Sequence, residues 1–193
     1  PPNPRPSNPM KSMRILPNYP AAGGRSLFLA LAGPAAAADP PAIIDSKAER
    51  GELTVRFKGQ KLLVYAFATN QFKPYVRELY TLRGENVLRD AVPDHLHHHG
   101  LMYAVYVNGV NFWEERDAPG IEKHAELPLH SARVGAKGMP VADFTELIHW
   151  VASTNKAAPD SLAAALLVER RTLTVTIDEK NQEGALRWNS QFQ

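Results

Sequence analysis

The densest group of chemically versatile side chains lies in one short segment, Asp94-His95-Leu96-His97-His98-His99-Gly100. Histidine is the commonest metal ligand in proteins, and its imidazole titrates closest to physiological pH. If the segment is extended, His95, His97 and His99 point to one side, because side chains alternate along a strand. The segment is therefore a candidate site for metal binding or proton transfer.

Three interpretations of this segment are open. In the first, His95 and His97 bind a divalent metal ion together with a distant ligand, for which His124 is the preferred candidate. In the second, a metal-free pocket uses His95, His97, His98 and Asp94 as catalytic residues for sugar binding or proton transfer, with Asp94 orienting an imidazole. In the third, the histidines belong to a surface loop without a chemical role.

A second candidate group follows shortly after the histidines. Trp113 could stack on a sugar ring, Glu114 or Glu115 could act as an acid or a base, and Glu114 is also a candidate ligand contact. Tyr103 is a further candidate for ligand binding. The alternative for Trp113 is a core position beside solvated carboxylates, because aromatic side chains mainly supply buried area.

Several established motifs are absent from the sequence. There is no G-x-S-x-G elbow, no glycine-rich phosphate loop and no H-E-x-x-H helix. The cupin pattern requires a Glu a few residues after its His-x-His pair, and residues 100–104 (GLMYA) do not provide one. Nucleotide chemistry and zinc-protease chemistry therefore have no support.

The charge distribution argues against nucleic-acid binding. The chain has 22 basic and 20 acidic residues, but four of the basic residues lie in residues 1–38, which contain no acidic residue. The remainder therefore has 18 basic residues against 20 acidic ones. A nucleic-acid binder is expected to carry its basic excess on the folded domain.

The first 38 residues resemble an export signal or a disordered leader. Arg25 precedes the apolar run Leu27–Leu31, and Ala36–Ala38 form a small-residue cleavage site. We therefore expect an exported protein with a leader over residues 1–38, a linker over residues 39–51 and a domain over residues 52–193. No run of about 20 apolar residues is present, so we expect no membrane span.

The rest of the sequence predicts short strands. Leu53, Val55 and Phe57 alternate with polar residues, which is the period of a half-buried strand. Asn108-Gly109 predicts a tight hairpin turn between strands over residues 101–107 and 110–113. Further strands are predicted over residues 62–67, 75–82, 144–151, 166–177 and 185–192. This spacing predicts a mainly β protein, an antiparallel β-sandwich, and the end on an apolar strand predicts that the sandwich is incomplete at its C-terminus.

Most of the chain from Leu53 to Phe192 resembles a bacterial family, the domain of unknown function 6807, often called "methane oxygenase PmoA". The matching segments are Pro74-Tyr75, Arg89-Asp90, Pro93–Leu101, Val107–Trp113, Gly120–His124 and Glu169–Leu173. The family pattern has arginine where this chain has His99 and tryptophan where it has Met102.

The resemblance implies a β-sandwich akin to the galactose-mutarotase-like folds that handle sugars, with its C-terminal part missing. A carbohydrate-related protein with the histidines at its pocket is the leading functional hypothesis. A non-catalytic sugar- or surface-binding module is the alternative. The oxygenase name belongs to an integral membrane protein, so we expect no oxygenase activity from a chain without a spanning segment.

Overall fold

A computed structural model of the chain describes residues 14–16, 44–126, 129–154 and 165–193. Within these residues the secondary structure consists of strands and a 3₁₀ turn at Ala136–Gly138. The strands are β1 (Arg14–Leu16), β2 (Ile44–Glu49), β3 (Glu52–Phe57), β4 (Gln60–Ala66), β5 (Tyr75–Leu79), β6 (Tyr106–Val107), β7 (Val110–Asn111), β8 (Gly120–His124), β9 (Leu129–Val134), β10 (Pro140–Ala152), β11 (Leu167–Asp178) and β12 (Glu183–Phe192). No helix in the described part of the chain is long and apolar enough to cross a membrane.

The strands form two main sheets and a small hairpin. The larger sheet has the order β1-β12-β11-β10-β8, and β9 pairs with the first half of β10 while β8 pairs with its second half. The smaller sheet has the order β2-β3-β4-β5. Neighbouring strands are antiparallel except β1, which runs parallel to β12.

The two sheets face each other across one hydrophobic core. In β3 and β11 every second side chain is buried, so Leu53 and Val55 meet Leu173 and Val175 from the opposite sheet. Alternation of this kind places one face of each sheet in the core. The predicted antiparallel β-sandwich is confirmed.

The predicted hairpin is confirmed but is shorter than expected. Asn108 and Gly109 both have positive φ, as a type I′ turn requires, and Tyr106–Val107 pairs with Val110–Asn111. The strand predicted over residues 101–107 covers only its last two residues. Leu101 instead makes an isolated bridge to Val76 of β5, which ties the histidine-rich segment to the smaller sheet.

Two segments outside the predicted domain form strands. Ile44–Glu49, within the predicted linker over residues 39–51, forms β2 and supplies hydrogen bonds to the free edge of β3. Arg14–Leu16, within the predicted leader, pairs with β12. The apolar run at 27–31 and the cleavage site at 36–38 lie outside the described residues.

Candidate functional site

The histidine-rich segment is a series of turns, so the expectation based on an extended segment is wrong. The His95 amide donates to the Val92 carbonyl at 2.8 Å, and the His98 amide donates to the His95 carbonyl at 3.0 Å. The Ala91 amide closes the segment by donating to the His98 carbonyl at 2.9 Å. Because the chain turns back on itself, the side chains do not alternate as they would along a strand.

Gly100 lets this segment approach β5 closely. A Cβ atom at Gly100 would collide with the carbonyl oxygen of Val76. The neighbouring residue Leu101 exchanges two backbone hydrogen bonds with Val76, at 2.9 and 3.0 Å. Gly100 therefore allows a close approach to a strand of the sheet.

Three of the histidines gather on the surface around Trp113, and we call this group the imidazole cluster (His95, His97, His98 and Trp113). The His98 ring lies 4.6 Å from His95 and 4.5 Å from His97, measured between ring centroids. It also lies parallel to the Trp113 indole, at 5.9 Å and 10°. Trp113 is 37% exposed, so the cluster is an aromatic surface open to solvent.

The environment of His98 within the cluster favours its neutral form. The pKa of His98 is lowered by loss of hydration and by the neighbouring imidazoles His97 and His95. Asp94 contacts His95, with its Oδ2 atom 3.1 Å from Nδ1, so the predicted carboxylate partner of one ring is present. The pKa of Asp94 is lowered by a hydrogen bond from its own backbone amide and by His95.

His99 has a different environment from the three histidines of the imidazole cluster. Its Nδ1 atom lies 3.0 Å from Asp90 Oδ1, and its Nε2 atom lies 2.9 Å from Glu115 Oε1. An imidazole can donate to a carboxylate from both nitrogens only when it is protonated. Burial lowers the pKa of His99, but Glu115 and Asp90 outweigh burial and raise it.

Lys73 connects this ion pair to the imidazole cluster. Its buried Nζ atom donates to the carbonyls of Phe112 and Trp113, at 2.9 and 2.8 Å, and lies 3.5 Å from Glu115. Burial raises the pKa of Glu115, but His99 and Lys73 outweigh burial and lower it. Glu115 is thus a charged carboxylate held by the same lysine that binds the Trp113 carbonyl.

The predicted metal ligands are not assembled in this structure. Among the described residues, no group of three or more histidine, aspartate or glutamate side chains is arranged to hold a metal ion. His124 is held by Glu146, with Nδ1 2.7 Å from Oε1, and its ring packs on Phe67 at 5.0 Å. Metal binding at His95 and His97 stays a prediction.

A second group of ionisable residues is buried between the sheets, and we call it the Arg171 network. It comprises Tyr65, Glu122, His124, Glu146, Glu169 and Arg171. The Arg171 guanidinium donates from two nitrogens to Glu169, at 2.7 and 2.8 Å, and from Nη2 to Glu122 at 2.9 Å. Its Nη1 atom donates to the Tyr65 hydroxyl at 3.0 Å, and Tyr65 donates to Glu146 at 2.5 Å.

One carboxylate of the network is incompletely satisfied. Glu122 is 3% exposed, and its Oε1 atom has no hydrogen-bond partner among the residues described. Burial raises the pKa of Glu122 to about 7, against the opposing effect of Arg171. A buried carboxylate with an open acceptor is the kind of group that marks ligand sites.

Two concave regions lie on either side of Phe72. A cavity of about 350 Å³ is lined by residues 67–72, Pro74 and residues 121–124, and so includes Glu122 and His124. A shallower cleft of about 230 Å³ is lined by Phe72, Leu96, His97, Glu115 and Arg116. His97 and Glu115 connect the cleft to the imidazole cluster and to the ion pair beneath it.

The other predicted ligand-binding residues lie apart from this cleft or are engaged. Tyr103 packs against Trp150 and Trp188, at centroid distances of 5.8 and 5.5 Å. Glu114 accepts hydrogen bonds from Asn111 at 3.1 Å and from Arg116 at 2.8 Å. Ligand contact by either residue stays a prediction.

Sequence reasoning missed the ion pair between His99 and Glu115 and, apart from His124, the members of the Arg171 network. A signal for the network was present in β11, where Glu169 and Arg171 occupy the same alternating register as Leu173. A Glu and an Arg at inward positions of one strand predict a buried ion pair. Glu122 and His124 share one face of β8 for the same reason.

The fold and site define an antiparallel β-sandwich with a histidine-rich surface beside a buried ionic network. A model of the family of unknown function DUF6807 matches residues 52–193. The chain therefore belongs to this family. No curated protein and no solved structure matches the chain with significant similarity.

Proposed function

We propose that this protein acts outside the cytoplasm as a carbohydrate-binding protein, with the imidazole cluster and Glu115 as its ligand surface. The observation that carries the proposal is the exposed Trp113 indole, which the imidazoles of His97 and His98 flank, with the charged carboxylate of Glu115 two residues further along the chain. A sugar ring has apolar C–H faces and hydroxyl edges, which match a flat aromatic group bordered by hydrogen-bonding groups. The basic, apolar and small-residue segments of residues 1–38 support export.

The rigid support under Trp113 favours ligand binding at this position. Lys73 fixes the Trp113 carbonyl, and the Asn111 side chain accepts a hydrogen bond from the Trp113 amide at 2.9 Å. An aromatic group held in place loses little conformational entropy when it binds a ligand. An exposed tryptophan with this backbone support is therefore suited to recognition.

Titration calorimetry with neutral mono- and disaccharides tests the proposal. Trp113→Ala is expected to weaken binding by about tenfold or more, since a stacked aromatic contributes on the order of 1.5 kcal/mol. Leu129→Ala removes another exposed apolar side chain, on β9, and serves as the matched control. Sugar binding that Trp113→Ala leaves intact would show that the ligand surface lies elsewhere.

We also propose that the imidazole cluster takes up a divalent metal ion. The supporting observation is that the rings of His95, His97 and His98 lie within 4.5 to 6.1 Å of one another. Uptake requires the rings to rotate until their nitrogens converge at about 2.0–2.1 Å from one point. His95→Ala and His97→Ala are expected to lower the affinity for Zn²⁺. His130→Ala, which removes a histidine on β9, is the control and is expected to leave this affinity unchanged. Equal Zn²⁺ affinity in all three variants would contradict metal uptake by the imidazole cluster.

A further inference from the structure

The cavity on the far side of Phe72 has the features of a ligand site. Its volume of about 350 Å³ lies within the range of small-molecule pockets, which begins near 300 Å³. One wall is β8 and the other is the loop after β4, and the Glu122 amide donates to the Phe72 carbonyl at 2.8 Å between them. The lining combines the rings of Phe67 and Phe72 with polar side chains such as Asn70.

Glu122, which lines this cavity, has an unfilled hydrogen-bonding position. Its Oε2 atom is used by Arg171, whereas Oε1 is buried without a partner in the described part of the chain. A buried acceptor without a donor is costly, so a ligand that supplies a donor is favoured there. His124 lines the same cavity, two residues along β8 and on the same face of the strand.

The charge of the network limits the class of ligand. Arg171 donates to Glu122 and Glu169 directly and is linked to Glu146 through the Tyr65 hydroxyl, so three carboxylates share one guanidinium. Of the three, Glu122 lines the cavity, together with Lys123 and His124. A ligand carboxylate or phosphate in contact with Glu122 would be repelled by its carboxylate. A hydroxyl group, by contrast, donates a hydrogen bond without adding negative charge.

We propose that this cavity is a second subsite of the carbohydrate site, so that the ligand is a neutral saccharide of at least two residues that extends across Phe72. The proposal rests on the proposed carbohydrate function. One sugar ring lies at Trp113, and the next enters the cavity and donates a hydroxyl hydrogen bond to Glu122. Phe72, which lines both the cavity and the cleft, lies between the two rings.

Titration calorimetry with glucose, galactose, maltose, cellobiose and lactose tests the second subsite. At least one disaccharide is expected to bind about tenfold tighter than its constituent monosaccharides, since one hydrogen bond to a charged group contributes about that factor. Glu122→Gln is expected to remove this advantage and to leave monosaccharide affinity unchanged. Glu169→Gln is the control, because Glu169 is equally buried and bonded to Arg171 but does not line the cavity.

The outcomes separate the two proposals. If no sugar binds the wild type, both are overturned. If binding depends on Trp113 but is equal for mono- and disaccharides, only the second subsite is overturned. An equal loss of disaccharide binding in Glu122→Gln and Glu169→Gln would also overturn it, because the effect would then pass through Arg171. Asn70→Ala, in the exposed loop that lines the cavity, replaces Glu122→Gln if that variant does not fold, and is expected to lower disaccharide affinity alone.

Discussion

The Arg171 network and the imidazole cluster both concentrate ionisable side chains, but they are built in opposite ways. The network collects its members from strands β4, β8, β10 and β11, and its Arg171 is fully buried. The imidazole cluster takes three of its four members from one turn of the chain and remains on the surface. A local motif is easily seen in a sequence, whereas a network assembled by long-range pairing is not.

The two regions also differ in what their side chains contribute to the fold. In the network Arg171, Glu169 and Glu146 each have two or more partners inside the core, so the loss of one of them leaves other charges buried and unpaired. In the cluster the imidazoles contact one another and solvent. We therefore expect the network to control stability and the cluster to control binding.

The largest effect on stability is expected from Arg171→Met. Removal of the guanidinium leaves Glu169 and Glu122 without their cation, which costs on the order of 4 kcal/mol of unfolding free energy. Arg170→Met, at the exposed neighbouring position on β11, is the control and is expected to change it by less than about 0.5 kcal/mol. Urea unfolding of both variants measures the difference, and equal stabilities would refute the structural role of the network.

A smaller effect is expected where the two regions meet, at His99. His99→Ala breaks the ion pairs with Asp90 and Glu115 and is expected to cost about 2 kcal/mol at pH 5.5. His98→Ala, one residue away in the cluster, is expected to cost less than about 0.5 kcal/mol. Similar losses of unfolding free energy in the two variants would show that the imidazole cluster and the ion pair beneath it do not differ in their contribution to stability.

The contribution of His99 depends on pH in a direction that follows from its raised pKa. A histidine with a pKa above its usual 6.5 stabilises the fold fully below 6.5, and this stabilisation is lost as pH rises through the folded-state value. Glu115 has a pKa below its usual 4.5. Its contribution to stability is therefore complete above pH 4.5 and is lost as the pH falls through the folded-state pKa. The stability difference between wild type and His99→Ala is therefore expected to be largest between pH 4.5 and 6.5. Urea unfolding across pH 4 to 8 checks this, and a difference that grows above pH 7 would contradict it.

Much of the fold could be predicted from the sequence, because the central strands carry regular alternation. The patterns in β3 and β11 and the Asn108-Gly109 turn were sufficient to predict a sandwich with this hairpin. The strands β1, β2, β8 and β9 were missed. All side chains of β9 are exposed and β2 has no buried side chain, so neither strand has the apolar alternation on which such predictions depend.

The candidate site could be predicted only in part. The histidine-rich segment predicted the surface that we propose as the ligand surface, but the alternation of side chains with a period of two residues applies only to an extended chain, and this segment turns. The alternation of side chains does apply to Glu122 and His124, because both residues lie on a strand, β8. The role of His99 was missed because its partners, Asp90 and Glu115, lie 9 and 16 residues away along the chain.

The most direct test of the proposed function is an amide and indole NMR spectrum recorded during titration with the tightest-binding disaccharide. The protein has three tryptophans, and Trp113→Phe identifies the Trp113 indole N–H signal by its loss. Carbohydrate binding at the imidazole cluster predicts that this signal shifts in proportion to saturation. The Trp150 signal is expected to stay unchanged, because that indole is buried and donates to Glu169. Saturation of binding with the Trp113 signal unmoved would contradict the proposed function.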